Sequence, residues 1–130
     1  MSPLRFDGRT AIVTGAGGNP SLGRAHALLL ASRGASVVVN DIGVSKAPHY
    51  AGQASAEAVA AEIRSLGGKA VADTHSVADE EDAAAIVQCA LDAFGSVDIV
   101  VNNAGVAIAA AVDEMTPADF RLHIEVNLLG

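Results

Sequence analysis

The sequence is poor in the residues from which several kinds of site are built. It has one cysteine, one tyrosine and no tryptophan in 130 residues. A single cysteine excludes a disulfide framework and a zinc or iron–sulfur site made of clustered cysteines. Eight Lys and Arg residues face 15 acidic residues and form no basic cluster, which argues against binding to a nucleic-acid backbone.

Long hydrophobic runs are also lacking. The longest apolar stretch, residues 99–112, is interrupted by Asn102, Asn103 and Gly105, so we expect no membrane-spanning segment. Residues 1–9 contain no hydrophobic run of the signal-peptide type. With 51% hydrophobic residues, the chain is long enough to bury a sizeable core. We therefore expect one soluble, cytoplasmic α/β domain.

Short apolar segments alternate along the chain with longer segments of helical periodicity. The apolar segments predict strands at 10–14, 36–40, 69–73 and 97–102. The periodic segments predict helices over 21–33, 55–66 and 79–94, and a further helix that opens at Thr116–Pro117 and still runs near Gly130. A polar loop over 43–53 separates the second strand from the next helix. This alternation predicts βαβ units and a parallel sheet.

A glycine-rich turn follows the first predicted strand and opens the first helix. Glycines allow a sharp turn and a close approach of backbone to a diphosphate, which the N-terminus of the helix attracts. Asp41 ends the second strand, 26 residues after Gly15, and can accept hydrogen bonds from both ribose hydroxyls of an adenosine. Its charge would repel a 2′-phosphate and therefore favours NAD over NADP.

The glycine turn and Asp41 also allow other interpretations. Glycine turns also occur without a ligand, and Asp41 alone could be a surface turn residue. Residues 18–23 have P-loop spacing, but Arg24–Ala25 stands where Lys and Ser or Thr would hold phosphate and magnesium. The same segment has one residue too many before Ser21 for a hydrolase nucleophile elbow.

Motifs spread over the whole chain resemble those of the short-chain dehydrogenase/reductase family. They are Thr14-Gly15-Ala16-Gly17 with Leu22-Gly23, then Asp41, then Asn102-Asn103-Ala104-Gly105, and Asn127 in the last helix. Residues 2–9, 37–43 and 90–95 are similar, more narrowly, to the (3R)-hydroxyacyl-CoA dehydrogenase domains of peroxisomal multifunctional β-oxidation enzymes and their bacterial relatives. The glycine loop departs from the family by two extra residues, Asn19 and Pro20, and by Ser21 in place of the middle glycine.

The resemblance implies a Rossmann-type doubly wound parallel sheet in three αβα layers, with strand order 3-2-1-4 in this first half. It implies an NAD cofactor and no metal. The diphosphate and its ribose would lie against Gly15, Ser21, Leu22 and Gly23; the adenosine ribose against Asp41; the adenine against Ser76 and Val77; and the rest of the cofactor against Asn103, Ala104 and Gly105. Asn127 matches the catalytic asparagine, whose backbone carbonyl holds a water in a proton relay.

The catalytic Tyr of the family, and the Lys four residues after it, have no counterpart here. The only tyrosine is Tyr50, and residue 54 is Ala. We therefore expect residues 1–130 to be the NAD-binding part of a longer oxidoreductase, truncated before the Tyr and Lys segment. That enzyme would act on a secondary alcohol or ketone, such as a 3-hydroxyacyl-CoA, as a homo-oligomer. The alternative is a non-catalytic nucleotide-binding or interaction module complete at 130 residues.

The remaining candidate clusters favour structural explanations. His26, His49, His75 and His123 share no ligand spacing and are expected to be scattered surface or helix residues. Cys89 is expected to be an inert residue of the core or its boundary and not a nucleophile. The acids at 79–82 fall in the first turn of a helix, where they suit the helix dipole.

Overall fold

The computed structural model describes residues 2–43 and 54–130. Its strands are β1 (Thr10–Val13), β2 (Ser36–Asn40), β3 (Lys69–Asp73) and β4 (Ile99–Val101). Its helices are α1 (Leu22–Ser32), α2 (Ala56–Ser65), α3 (Glu80–Phe94) and α4 (Pro117–Ile124), which continues as a π-helical segment (Glu125–Leu129). None of the helices in the described ranges has the length and apolarity needed to cross a bilayer. Lys46, His49 and Tyr50 of the predicted polar loop lie outside those ranges.

The four strands form one parallel sheet in the order β3-β2-β1-β4. Ile12 of β1 stands between Val38 of β2 and Val100 of β4 in the register. The predicted strand order 3-2-1-4 and the Rossmann-type architecture are confirmed. Because the strands are parallel, their carboxyl ends all reach the same edge of the sheet, where ligands bind in folds of this type.

Two buried clusters fill the space on the two faces of the sheet. Val37 and Val39 face α1 and α2, whereas Val38 between them faces α3 together with Ile12. This alternation follows from the two-residue period of a strand. All three valines of β2 are fully buried because helices cover both faces of the strand. The result is the three-layer αβα arrangement.

Each helix begins at a side chain that accepts a hydrogen bond from its first turn. The four N-caps are Ser21, Ser55, Asp79 and Thr116. Such caps satisfy backbone N–H groups that have no partner within the helix. The acids at 79–82 are therefore part of a helix start, as expected, and residues 2–43 and 54–130 contain no group of three ligating side chains placed to hold a metal.

The structure corrects the sequence prediction in two places. Helical periodicity predicts Ile86, Val87, Ala90, Leu91 and Phe94 on the buried face of α3, but Val87 and Leu91 are 43% and 41% exposed. The cluster against the sheet is formed by Ile86 and Ala90, with Cys89 and Phe94 packed on it. β4 is also shorter than the predicted 97–102. It ends at Val101 because the backbone N–H of Asn103 turns back onto the carbonyl of Val101, at 2.9 Å, and leaves the ladder.

Replacement of one buried side chain in α2 tests this packing. Ile63 is 1% exposed, and Leu66, at the C-cap of the same helix, is 74% exposed. We expect Ile63→Ala to lower the free energy of unfolding by about 2–5 kcal/mol through lost burial and a cavity. Leu66→Ala, the matched control, should change it by no more than about 0.5 kcal/mol. Urea unfolding measures both, and equal losses would contradict this packing.

Candidate cofactor site

A cavity of about 580 Å³ opens at the carboxyl edge of the sheet. This volume falls within the range of small-molecule and cofactor sites. Its walls come from the glycine-rich turn, the ends of β2, β3 and β4, and the last helix. The lining residues are Gly15, Gly18, Pro20, Ser21, Asn40, Asp41, Ile42, Ala54, Ser76, Val77, Ala78, Asn103 to Ile108, Leu122 and Val126.

Hydrogen bonds between Thr14 and Asn103 join the end of β1 to the end of β4. The side-chain Nδ2 of Asn103 donates to the carbonyls of Thr14 and Gly15, at 2.9 and 3.1 Å. In return, the Thr14 hydroxyl oxygen accepts from the backbone N–H groups of Asn103 and Ala104, at 3.1 and 3.0 Å. These contacts fix the glycine turn against the segment that follows β4.

Two glycines of the turn are required by this close approach. A Cβ at Gly15 would lie 2.8 Å from the Cα of Ala104, and Gly15 also has a φ of 62°. A Cβ at Gly23 would lie 2.6 Å from Nδ2 of Asn103 and 2.7 Å from the carbonyl oxygen of Gly15. Side chains cannot be accommodated at such distances, so backbone forms this part of the site.

Ser21 caps α1 beside the cavity. Its hydroxyl accepts from the backbone N–H of Arg24, at 3.1 Å, and donates to the carbonyl of Gly18, at 3.0 Å. The inserted Pro20 lines the cavity next to it. The first N–H groups of α1 have no partner within the helix, and they give this edge a partial positive charge that suits an anion.

Arg24 does not line the cavity. Its guanidinium forms a two-point ion pair with Glu62 of α2, and Nε lies 2.9 Å from Oε2. The pair links α1 to α2. Arg24 therefore links two helices, in agreement with the expectation that it does not act as the lysine of a P-loop.

Asp41 directly follows β2, and each of its carboxylate oxygens accepts a hydrogen bond from a backbone N–H group. Oδ2 accepts from the N–H of Gly17 at 2.9 Å, and Oδ1 accepts from the N–H of Gly43 at 2.8 Å. A carboxylate has about four lone-pair positions, so acceptor capacity remains on each oxygen. Among the described residues that line the cavity, Asp41 is the one with an ionisable side chain.

A buried amide and a carboxylate shape the wall that follows β3. Asn40 donates to Oδ1 of Asp73 at 2.8 Å and to the carbonyl of His75 at 2.9 Å. Nδ1 of His75 lies 2.8 Å from Oδ2 of Asp73, and this hydrogen bond and charge raise the pKa of His75. Asp82 of α3 accepts from the backbone N–H of Ser76 at 2.9 Å. The wall residues Ser76 and Val77 are thus held from two sides.

The wall after β4 is held by the last helix. The side chain of Asn127, in the π-helical segment, accepts from the N–H of Val106 and donates to its carbonyl, both at 2.8 Å. Nε2 of His123, one turn earlier, accepts from the N–H of Ile108 at 2.9 Å. Leu122 and Val126 of the same helix line the cavity directly.

The structure brings eight of the eleven residues predicted for the site into the cavity lining: Gly15, Ser21, Asp41, Ser76, Val77, Asn103, Ala104 and Gly105. Leu22 is 73% exposed and does not line the cavity. Gly23 is buried behind the turn, and Asn127 reaches the wall through Val106. Their roles toward a cofactor remain predictions.

The sequence analysis missed the part of the wall that the last helix supports. Leu122 and Val126 are four residues apart, and so are His123 and Asn127, so each pair shares one side of a helix. The spacing of His123 from Asn127 was a signal that could have identified His123. A comparison of the four histidines with one another, as metal ligands, does not reveal this spacing.

Gly23→Ala tests the close approach at the turn. We expect it to lower the free energy of unfolding by about 1–3 kcal/mol, because the added methyl group must displace Asn103 or the Gly15 carbonyl. Gly105→Ala is the control, since its Cβ would meet its nearest atom at 3.4 Å, an ordinary contact. We expect that control to change the value by less than about 1 kcal/mol. Chemical unfolding compares them, and a tolerated Gly23→Ala would contradict the geometry.

The ion pair of His75 with Asp73 predicts a pH-dependent stability. The pKa of His75 is raised in the folded state, so the pair stabilises the fold below the ordinary histidine pKa and loses its effect as pH rises through the raised value. We expect His75→Ala to lower Tm at pH 6 and to have little effect at pH 9. His26→Ala, at an exposed position of α1, is the control. A His75→Ala deficit that grew with pH would disprove the assignment.

Comparisons with known proteins identify the family of this chain. The short chain dehydrogenase family matches residues 9–130. Peroxisomal multifunctional enzyme type 2 of Drosophila melanogaster is 48% identical over 127 residues, which are 98% of this chain and 20% of the fly protein. A short chain dehydrogenase from Mycobacterium avium superposes with a TM-score of 0.82 at 45% identity, over 95% of this chain and 43% of that one.

A 7α-hydroxysteroid dehydrogenase, solved in complex with NADH and 7-oxo glycochenodeoxycholic acid, superposes with a TM-score of 0.80 at 40% identity, over 95% of this chain and 44% of that one. The chain thus spans less than half the length of each of these relatives. The family match, the sequence identities and the superpositions all indicate the same family. The chain belongs to the short-chain dehydrogenase/reductase family and corresponds to its N-terminal part.

Proposed function

We propose that this chain is the cofactor-binding part of an NAD-dependent oxidoreductase of the short-chain dehydrogenase type. The complete enzyme transfers hydride between the nicotinamide and a secondary alcohol or ketone, with 3-hydroxyacyl-CoA as the candidate substrate. The observation that carries the proposal is the cavity of about 580 Å³, in which the glycine turn, a helix N-terminus and Asp41 converge. The relative solved with NADH and a 7-oxo compound supports a nicotinamide cofactor.

The residues present fit a dinucleotide. Backbone at Gly15 and the start of α1 can approach a diphosphate because no side chain stands there and because the N–H groups of the first turn are free of helical partners. Ser76 and Val77 form a wall of the kind that an adenine ring can lie against. Asn103, Ala104 and Gly105 would follow the cofactor toward the nicotinamide.

Preference for NAD over NADP rests on Asp41. Each of its oxygens accepts one backbone N–H and can accept a ribose hydroxyl as well. Of the described residues that line the cavity, none has a cationic side chain that could offset repulsion between this carboxylate and a 2′-phosphate. These features support an unphosphorylated ribose as the ligand at Asp41.

The chemistry divides between this chain and further residues. When bound, the cofactor supplies a nicotinamide C4 that accepts or donates hydride. Asn127 holds the wall at Val106 with its side chain, which leaves its backbone carbonyl as the group for a water in the proton relay. We propose that the general acid/base Tyr and its Lys lie in a part of a longer protein that follows residue 130.

A second candidate is a module that binds the nucleotide without catalysis. Within residues 1–130, the one tyrosine is Tyr50, and it has no Lys four residues after it. Alcohol oxidation with NAD by a longer form, carrying a Tyr-x-x-x-Lys segment, favours the enzyme, whereas binding without turnover across an alcohol panel favours the module.

For the enzyme we propose a cytoplasmic homo-oligomer that does not bind nucleic acid, a membrane or a metal.

Asp41→Asn tests the cofactor assignment. The variant keeps an oxygen acceptor and removes the charge, so NADPH should bind more tightly and NADH more weakly. We expect the ratio of their dissociation constants to change by about tenfold or more, which corresponds to ~1.4 kcal/mol. Isothermal titration calorimetry of the 130-residue chain measures both.

Asp92→Asn is the matched control, because it removes one carboxylate on α3, outside the cavity lining. Its NADH-to-NADPH ratio should equal that of the unmodified chain. An unchanged ratio in Asp41→Asn would remove Asp41 from the specificity role. Failure of the unmodified chain to bind either nucleotide would count against the proposed function itself.

A further inference from the structure

Residues 105–108 form a wall of the cavity and are attached to the last helix through two side chains. Asn127 pairs with both backbone groups of Val106, and His123 accepts from the N–H of Ile108. Val106 and Ile108 are two residues apart, so their N–H groups face the same side of an extended segment. The two helix side chains are four residues apart and match that spacing. The side chains of Asn127 and His123 thus form hydrogen bonds with the backbone of this segment that a neighbouring strand would form in a sheet.

The hydrogen bonds of His123 define its protonation. A backbone N–H can only donate, so Nε2 must be an unprotonated acceptor toward Ile108. Nδ1 lies 2.7 Å from the carbonyl oxygen of Asp119, which can only accept, so Nδ1 carries the proton. One neutral tautomer satisfies both contacts. Protonation of Nε2 would place two donors against each other and would release Ile108.

Release of Ile108 would alter the cavity itself. Val106, Ala107 and Ile108 line it from the loop, and Leu122 and Val126 line it from the helix. The helix has no buried residue in either α4 or the π-helical segment. Because its apolar packing is weak, the position of this wall depends on the polar contacts of His123 and Asn127.

We propose that His123 is a positioning residue that, in its neutral form, holds residues 105–108 in place as a wall of the cofactor cavity. Loss of the imidazole acceptor, by protonation or by substitution, loosens that wall and weakens dinucleotide binding. The effect on dinucleotide binding rests on the proposed function, whereas the role of His123 in holding residues 105–108 concerns the chain alone.

The charged groups nearest to this contact in the sequence belong to the last helix and to the turn before it. The opposing segment, 105–108, has no ionisable side chain. The side chain of Asp119 is bonded to the hydroxyl of Thr116. The ionisable residues of the helix itself and of the turn before it are Asp113, Glu114, Asp119, Arg121 and Glu125.

The first experiment needs no ligand. In the ¹⁵N-labelled 130-residue chain, long-range ¹H–¹⁵N spectra identify the His123 tautomer, and the amide shift of Ile108 is followed from pH 8 to pH 5.5. We expect the Nδ1-protonated tautomer at pH 8, and an Ile108 amide that titrates with the same midpoint as the His123 ring. An Ile108 amide that does not follow His123, or the opposite tautomer at pH 8, would overturn the proposal.

A matched pair of variants separates the acceptor from its titration. His123→Gln can reach Ile108 with a side-chain oxygen that does not protonate in this range, whereas His123→Leu has no acceptor. We expect the Ile108 amide of His123→Gln to lose its titration. His26→Gln, at an exposed position of α1, should leave that titration unchanged. Persistence of the titration in His123→Gln would refute the assignment even if His123→Leu failed to fold.

The consequence for the cavity is measured with NADH by calorimetry at pH 8 and pH 5.5. We expect the acidic pH to weaken binding by the unmodified chain about two- to tenfold more than it weakens binding by His123→Gln, as one net hydrogen bond of ordinary strength would. Equal losses would refute the link to the cavity. Absence of NADH binding in every form at pH 8 would instead contradict the proposed function, and the amide titration would still decide the role of His123.

Discussion

The hydrogen bonds between Thr14 and Asn103 are the constraint on which the rest of the site depends. They join two neighbouring strand ends at a point where β1 turns into the glycine loop. Because Nδ2 of Asn103 also reaches the carbonyl of Gly15, the loop lies too close for a side chain at Gly15 or Gly23. The start of α1 is thereby fixed beside the cavity. Backbone N–H groups, rather than cationic side chains, are what this edge offers to an anion.

Asp41 extends that constraint to the neighbouring strand. Its carboxylate binds the backbone of Gly17 in the turn and of Gly43 after β2. A Cβ at Gly17 would lie 2.8 Å from the Cβ of Asp41, so the turn and the carboxylate are in close contact as well as hydrogen-bonded. One side chain therefore shapes the turn and also presents negative charge to the cavity. The structural role of Asp41 and its proposed specificity role fall on one residue because the carboxyl ends of β1 and β2 are adjacent in a parallel sheet.

The elements of the fold could be predicted because their signals are local. The three valines of β2 lie in an unbroken apolar run, and Ser21, Ser55, Asp79 and Thr116 each precede a helix by one residue. What could not be predicted depends on distances between elements. The exposure of Val87 and the ion pair of Arg24 with Glu62 follow from how helices are placed on the sheet, which periodicity does not specify. The four-residue spacing of His123 from Asn127 is a local signal, but the contact of His123 with Ile108, 15 residues away in a loop, again depends on how the elements are placed.

The segment from Asn103 to Ile108 joins two parts of the cavity that differ in what holds them. At Asn103 it is held by amide, hydroxyl and carbonyl groups, none of which changes its charge near neutral pH. At Ile108 it is held by an imidazole nitrogen, which can accept from the N–H of Ile108 only while it is unprotonated. The glycine turn is therefore expected to keep its geometry as pH falls, while the wall at 105–108 responds. A pH dependence of the site should for that reason arise in the position of this wall and at the His75–Asp73 pair behind Ser76 and Val77, and not in the glycine turn.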